Sequence, residues 1–170
     1  MPLLQTVSCN CLSWNPAFDE PQMLIVGGQS DDAPIQLYSK KDGAHSFGLY
    51  SNKFRGGHTH RVNDIAFAPL MGRSFHMVAS CSKDAIVVWK LVVRDIFGPE
   101  NECLREPVIE QLFRVADAHS ECWRLSWNLL GTCFASAGDD SAVKIWKRAS
   151  GPPQAGQKGF YQLACLQAKQ

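Results

Sequence analysis

Two sets of side chains in this sequence have the composition of a catalytic centre. His119, Ser136 and Asp140 lie in the stretch AHSECWRLSWNLLGTCFASAGDDSAVKIWK, with Trp146 near its end. His58, Ser80, Asp84 and Trp89 form a second set upstream, opened by the pair Gly57–His58. A histidine between a hydroxyl and a carboxylate is the arrangement that activates a serine nucleophile. That chemistry also needs the serine on a strained turn beside an oxyanion donor. No G-x-S-x-G occurs, and Ser136 falls in a strand-like run. A catalytic constellation has no reason to recur in one chain, whereas a structural device has. The eight residues therefore read as a repeated structural device that satisfies buried polar groups, for which a missing partner would be costly. No enzymatic activity is expected.

Metal chemistry has little more support. Cys9-x-Cys11 and His58-x-His60 each place two ligands on one face of a strand, but no second pair stands at zinc-site spacing. Asp139–Asp140 lacks the further oxygen ligands of a calcium loop. Gly27–Gly28 and Gly56–Gly57 lack a phosphate-loop context. Neither a metal nor a cofactor is expected. A metal-dependent enzyme built on His58, His119 and Asp140 is the remote alternative.

What must position the polar sets is a repeat. Aligning Trp14, Phe67 and Trp127 brings three segments into step, beginning VSCNCLSWNP, GHTHRVNDIAFAP and AHSECWRLSWN. Each has a strand-like alternation ending in the aromatic, then a turn with Pro16, Pro69 or Gly131. A small-residue strand follows (MLIVGG, HMVASC or TCFASAG), then a turn with Asp31–Asp32, Asp84 or Asp139–Asp140. A third strand closes each segment: IQLY, IVVW or VKIW. Short strands with this punctuation predict an antiparallel all-β fold. Outer strands are expected in AHSFGLYS, VIEQLFRVA and FYQLACLQA. Four strands per repeat make the blade of a β-propeller, with blades over about 1–53, 54–116 and 117–170. The aligned aromatics lie further apart than the ~40–45 residues of a minimal repeat. Insertions are thus expected near 39–56 and 92–107, RDIFGPENECLREP reading as a loop. The first segment lacks the polar set: Gln5 stands for the histidine, Gly28 for the serine and Tyr38 for the tryptophan. Trp123 and Trp127 share a face in strand register, with at least one in the core.

Composition excludes several functions. The 170 residues are 45% hydrophobic and 19% charged, as in a folded domain. Seventeen basic against sixteen acidic side chains give a net charge of +1, with no charge run that would serve as a nucleic-acid footprint. The longest apolar runs fall short of the ~20 residues of a spanning helix, so no direct membrane insertion is expected. The N-terminus lacks a charged flank followed by an apolar core, so no signal peptide is expected. The seven cysteines include no C-x-x-C pair, which suits a reducing compartment without disulfides.

Two stretches carry more than a generic repeat signal. VNDIAFAPLMGRSFHMVA (Val62 to Ala79) and CWRLSWNLLGTCFASAGDDSAVKIWK resemble blades of the Seh-type nucleoporins, WD-repeat relatives of the Sec-thirteen coat proteins. CLSWNP (Cys11 to Pro16) resembles the preceding blade, so the likeness runs from about residue 7 to 165. The polar sets fall where WD-repeat blades hold their tetrads. Trp89 and Trp146 are each followed by lysine, so the WD dipeptide itself is absent. The resemblance implies a non-catalytic scaffold in the Y-shaped complex of the nuclear pore at the nuclear envelope. It also implies an open six-bladed propeller that a nucleoporin with an α-helical solenoid completes by donating a blade. A second assembly, the SEA or GATOR coat at the lysosome or vacuole, is implied as well. The alternative within the family is a Sec-thirteen-type vesicle coat adaptor. Family members should be about twice as long, so this chain is expected to hold only the last three blades, as a fragment or shortened form. Partner docking is expected by strand addition at Ala142–Lys147 or at 160–168.

Overall fold

The computed structural model describes residues 8–17, 22–28, 35–40, 47–51, 53–97, 103–149 and 159–167. They form three four-stranded antiparallel sheets. The first contains β1 (Cys9–Trp14), β2 (Met23–Gly28), β3 (Ile35–Lys40) and β4 (Phe47–Ser51), in that order. The second contains β5 (Val62–Phe67), β6 (His76–Ser82), β7 (Ala85–Phe97) and β8 (Cys103–Ala116). The third contains β9 (Cys122–Trp127), β10 (Cys133–Gly138), β11 (Ala142–Arg148) and β12 (Phe160–Gln167). Strands consecutive in sequence pair throughout, so each sheet is a meander built from local turns. This is the all-β architecture of a partial WD-repeat propeller.

Packing follows from the alternation. Ile25 and Leu37 of the first sheet and Val62, Val87 and Trp89 of the second belong to one buried cluster. Ala79 and Val88, on the other face of the second sheet, belong to another with Leu125, Phe134 and Trp146 of the third. The middle sheet is thus covered on both faces, and every residue of β6 is buried. The inner strands β1, β5 and β9 stand side by side.

Two irregularities recur in all three sheets. The inner strand skips one residue in its pairing, at Asn10, Asn63 and Trp123 in turn. The outer strand skips one at Tyr50, Leu112 and Leu163. Such β-bulges re-aim a side chain and sharpen the local twist. Here they fall at the same register position in every sheet.

Two expectations are corrected. RDIFGPENECLREP is not simply a loop, because β7 and β8 run on as a two-stranded ribbon with Val93 opposite Pro107 and Asp95 opposite Arg105. The Asp95–Arg105 ion pair, formed across the two strands, suits a twisted hairpin better than a turn. Ala142–Lys147 is not an open edge either: β11 pairs with β10 on one side and β12 on the other. β12 is the outer edge of its sheet. Asp31–Asp32, Gln5 and residue 168 lie outside the described residues.

Candidate functional site

The structure brings both polar sets together on the sheet faces that meet the preceding sheet. In the third sheet, His119 Nε2 lies 2.7 Å from Ser136 Oγ, and Trp146 Nε1 donates to the same oxygen at 2.8 Å. His119 Nδ1 lies 2.7 Å from Asp140 Oδ1. An ionised carboxylate only accepts, so Nδ1 carries a proton. With a neutral ring, Nε2 then accepts from the Ser136 hydroxyl, whose lone pair is free for the Trp146 N–H. The four groups form one polarised chain in which each donor is used. In the second sheet, His58 Nε2 stands 2.7 Å from Ser80 Oγ, and Trp89 Nε1 donates to it at 2.8 Å. The His58–Asp84 contact is longer, at 3.5 Å. Asp84 also accepts from Ser82, from the Thr59 N–H and from Arg114.

The backbone beside each site is cut to fit. A Cβ on Gly57 would lie 2.2 Å from the Trp89 ring, and one on Gly138 would lie 2.4 Å from the Glu121 carbonyl. Glycine is therefore required where the chain crosses each tetrad.

Both aspartates are held ionised. Burial by itself raises the Asp84 carboxyl, but the His58 ring beside it and the hydrogen bond from Ser82 overturn this and hold it well below the usual carboxylate range. Burial likewise opposes the lowering of Asp140, which hydrogen bonds from His119 and Lys144 bring about. A carboxylate depressed on folding contributes stability above its unfolded pKa of about 3.9, and that contribution is lost as pH falls through the folded value. Asp140→Asn should therefore be less stable than the parent at neutral pH. The gap should narrow progressively below about pH 4 in thermal melts followed by circular dichroism.

The first sheet departs from this plan, and in one respect from expectation. Tyr38 pairs with Leu24 as Trp89 pairs with Val78 and Trp146 with Phe134, so Tyr38 holds the tryptophan position. The serine position, however, belongs to Val26 rather than Gly28: Val26 faces Leu12 as Ser80 faces Ile65 and Ser136 faces Leu125. An apolar residue there removes the acceptor altogether. The Tyr38 hydroxyl turns instead to Gln36, 2.6 Å away.

Sequence reasoning missed the bulged residues, which link neighbouring sheets. Asn10 Nδ2 donates to the Val62 carbonyl at 3.3 Å, and Asn63 Nδ2 to the Cys122 carbonyl at 3.0 Å. Asp64 accepts from the Leu125 N–H at 2.8 Å, and Trp127 Nε1 donates to the Ala66 carbonyl. Arg73 ties the β5–β6 and β9–β10 turns through the Pro69 and Gly131 carbonyls. The signal available was an asparagine at the same offset before Trp14 and Phe67. In the third sheet that position is Trp123, which the bulge turns out to the surface under Arg61, its Nε1 on Asp139. Trp123 and Trp127 therefore do not share a face, and Trp127 alone packs on the core.

The cysteine and histidine pairs are likewise split. Cys9 is exposed, while Cys11 lies between sheets with its thiol pushed up to about 12, first by burial and then by the charge of Asp64. His58 is buried in its tetrad and His60 is exposed. Among the described residues, no group of three or more His, Cys, Asp or Glu is arranged to hold a metal ion.

Residues 110–147 match the family model described as WD domain, G-beta repeat. The match starts in β8 and ends in β11, so the sequence repeat is offset by one strand from the sheet. Among curated proteins, the chain is similar to Nucleoporin SEH1 of Danio rerio, with 36% identity over 149 residues, 83% of this chain and 40% of the relative. The Homo sapiens protein of that name is 35% identical over 149 residues, again 83% and 40%. That of Osmerus mordax is 32% identical over 148 residues, 83% and 39%. The chain spans about two fifths of the length of these relatives. Among solved structures it is similar in fold to Chaetomium thermophilum Sqt1. There the TM-score is 0.53 at 16% identity, covering 82% of this chain and 30% of that one.

Proposed function

Because the chain is a SEH1-like WD-repeat protein, we propose that it is a non-catalytic scaffold subunit of the nuclear pore's Y-shaped complex. Its partner is an α-helical solenoid nucleoporin that adds a strand or blade to the third sheet. Its site of action is the nuclear envelope, and the SEA or GATOR coat at the lysosome or vacuole uses the same surface. The two tetrads hold the sheets and perform no chemistry.

The observation that supports this reading is the free face of the third sheet. Paired residues of an antiparallel sheet share a face. Ala135 lies opposite Ile145, which lies opposite Ala164, and Val143 lies opposite Leu166. These five apolar side chains point away from the second sheet, and Val143 and Leu166 are exposed. A contiguous apolar patch on a folded protein marks an interaction surface.

Coexpression of the chain with a nucleoporin solenoid, followed by size-exclusion chromatography, tests the proposal. A stoichiometric complex supports it. Selective capture by the solenoid of a vesicle coat would move the assignment to a Sec-thirteen-type adaptor, and failure to bind either would remove the scaffold reading.

A further inference from the structure

We propose that two adjoining turns at one end of the second and third sheets form a contact surface for an anionic lipid bilayer, entering its headgroup region without crossing it. The inference does not rest on the pore role.

The β5–β6 turn follows Phe67 and the β9–β10 turn follows Trp127, and the inner strands leading into them stand side by side. Each turn carries two large apolar residues and then a glycine: Leu70–Met71–Gly72 and Leu129–Leu130–Gly131. Tight turns ordinarily favour small or polar residues at such places. Here Met71 is 61% exposed, Leu129 87% and Leu130 55%, and Leu129 is the most exposed large hydrophobic side chain among the described residues. Met71 also takes a positive φ of 20°, uncommon for a side chain of its size. Backbone strain of this kind persists where the surroundings hold it, and it is a pointer to function.

The two turns are one unit. Arg73 donates to the Pro69 carbonyl of its own turn and to the Gly131 carbonyl of the other, the latter at 3.2 Å. Arg148 ends β11 beside them, its backbone N–H bonded to the Thr132 carbonyl and its guanidinium 5.6 Å from the centre of the Phe75 ring. Burial first, and then the charge of Arg148, lower the Arg73 guanidinium, so the two cations lie close together. Among the described residues, no carboxylate pairs with either arginine. Lys90, on the same Phe75 ring, is neutralised by Glu110 at 3.0 Å. Neither 68–75 nor 128–132 contains an aspartate or glutamate.

Shape and charge together select the partner. Apolar side chains at the tips of turns, with unpaired cations set behind them, make a projecting surface rather than a groove, as insertion into the headgroup and acyl boundary requires. Each cation near an anionic leaflet strengthens binding about fivefold. The chain's net charge is only +1, so attraction by the molecule as a whole does not supply this. No helix among the described residues is long and apolar enough to cross a membrane, so the contact is interfacial. The fold assembles this surface from two separate turns, and no charge run in the sequence announces it.

Flotation of the whole chain with vesicles of two parts phosphatidylcholine to one part phosphatidylserine tests the proposal. The protein should float with these vesicles and stay behind with phosphatidylcholine alone. Salt at about 1 M, where the Debye length is about 3 Å, should release most of it. Leu129→Glu combined with Leu130→Glu should weaken binding by about tenfold or more, and Arg148→Gln by about fivefold. These changes are at exposed side chains, so far-UV circular dichroism should match the parent. Leu49→Glu, at an equally exposed leucine on β4 (55%), should float as the parent does. Absence of flotation would overturn the proposal, as would equal flotation with phosphatidylcholine alone. So would a double variant that floats like the parent, or a Leu49→Glu protein that fails to. The solenoid experiment stays separable, because the double variant should still bind the solenoid. Loss of solenoid binding in that variant, with no flotation of the parent, would make the turns a protein interface instead.

Discussion

Replacing Phe134 with alanine is expected to destabilise the protein by about 3–5 kcal/mol, the cost of truncating a large buried aromatic. Phe134 is 1% exposed. Its ring lies 5.0 Å from Trp127 and 5.5 Å from Phe160, and it is stacked on Trp146 at 6.1 Å with an interplanar angle of 19°. These three rings come from three different strands, so none can follow the lost side chain without moving its own strand. Collapse into the cavity is limited, which puts the cost in the upper part of the range. Against a typical domain stability of about 5–15 kcal/mol, this is a large share. With a urea dependence of about 2 kcal/mol per molar, the midpoint should fall by roughly 2 M. Leu129→Ala, at a side chain 87% exposed, should stay within about 0.5 kcal/mol of the parent and controls for loss of a large apolar residue as such. A small effect at Phe134 would mean that the third sheet does not pack on the second as described.

Ser136→Ala should also be large, at roughly 2–6 kcal/mol, because one deletion orphans two buried groups at about 1–3 kcal/mol each. The Trp146 indole N–H loses its acceptor and His119 Nε2 its hydroxyl, in a site where Ser136 is 1% exposed. The hydroxyl occupies little volume, so packing loss contributes little and the effect reports hydrogen bonding. Trp146→Phe added to Ser136→Ala should cost less than the sum of the two, since it removes the donor that the first change left unpaired. The coupling should fall within about 0.5–3 kcal/mol in urea titrations of the four proteins. A Ser136→Ala protein within 0.5 kcal/mol of the parent would show that the tetrad carries no structural load. Retained stability coupled with loss of a hydrolytic activity would instead revive the catalytic reading set aside for Ser136.

The tetrads were legible because their spacing is set by turns. Histidine, serine, aspartate and tryptophan recur at similar offsets wherever two hairpins of similar length repeat, and two copies in one chain suffice to reveal the rule. The strands flanking Trp14, Phe67 and Trp127 were legible for the same reason. Register was not. Val26 and Gly28 both lie on β2 with the same parity, and only the partner strand decides which of them faces Leu12. The bulges at Asn10, Asn63 and Trp123 were hidden because a skipped residue is a property of two strands together. Alternation read from one strand assumes an unbroken pleat, and it placed Trp123 on the wrong face. The β7–β8 ribbon was masked by Pro107 and the glycine–proline pair at 98–99, which punctuate a sequence like a loop. The ladder through Val93 to Phe97 forms nonetheless, because Pro107 sits on the outer strand β8, where a missing amide proton costs no ladder bond on the solvent side.

The complete burial of β6 has a consequence for how the molecule breathes. An amide exchanges with solvent only when its surroundings open, and the free energy of that opening rises from near zero at frayed ends to the global value in the best-covered strands. Among the described residues, the middle sheet is clamped by a neighbouring sheet on each face and the outer two by a sheet on one. Deuterium uptake should therefore be slowest at Val78 to Cys81, intermediate in β10, and fastest in β4 and β12. Limited proteolysis should trim the molecule from its two ends inward and leave the second sheet as the last protected fragment.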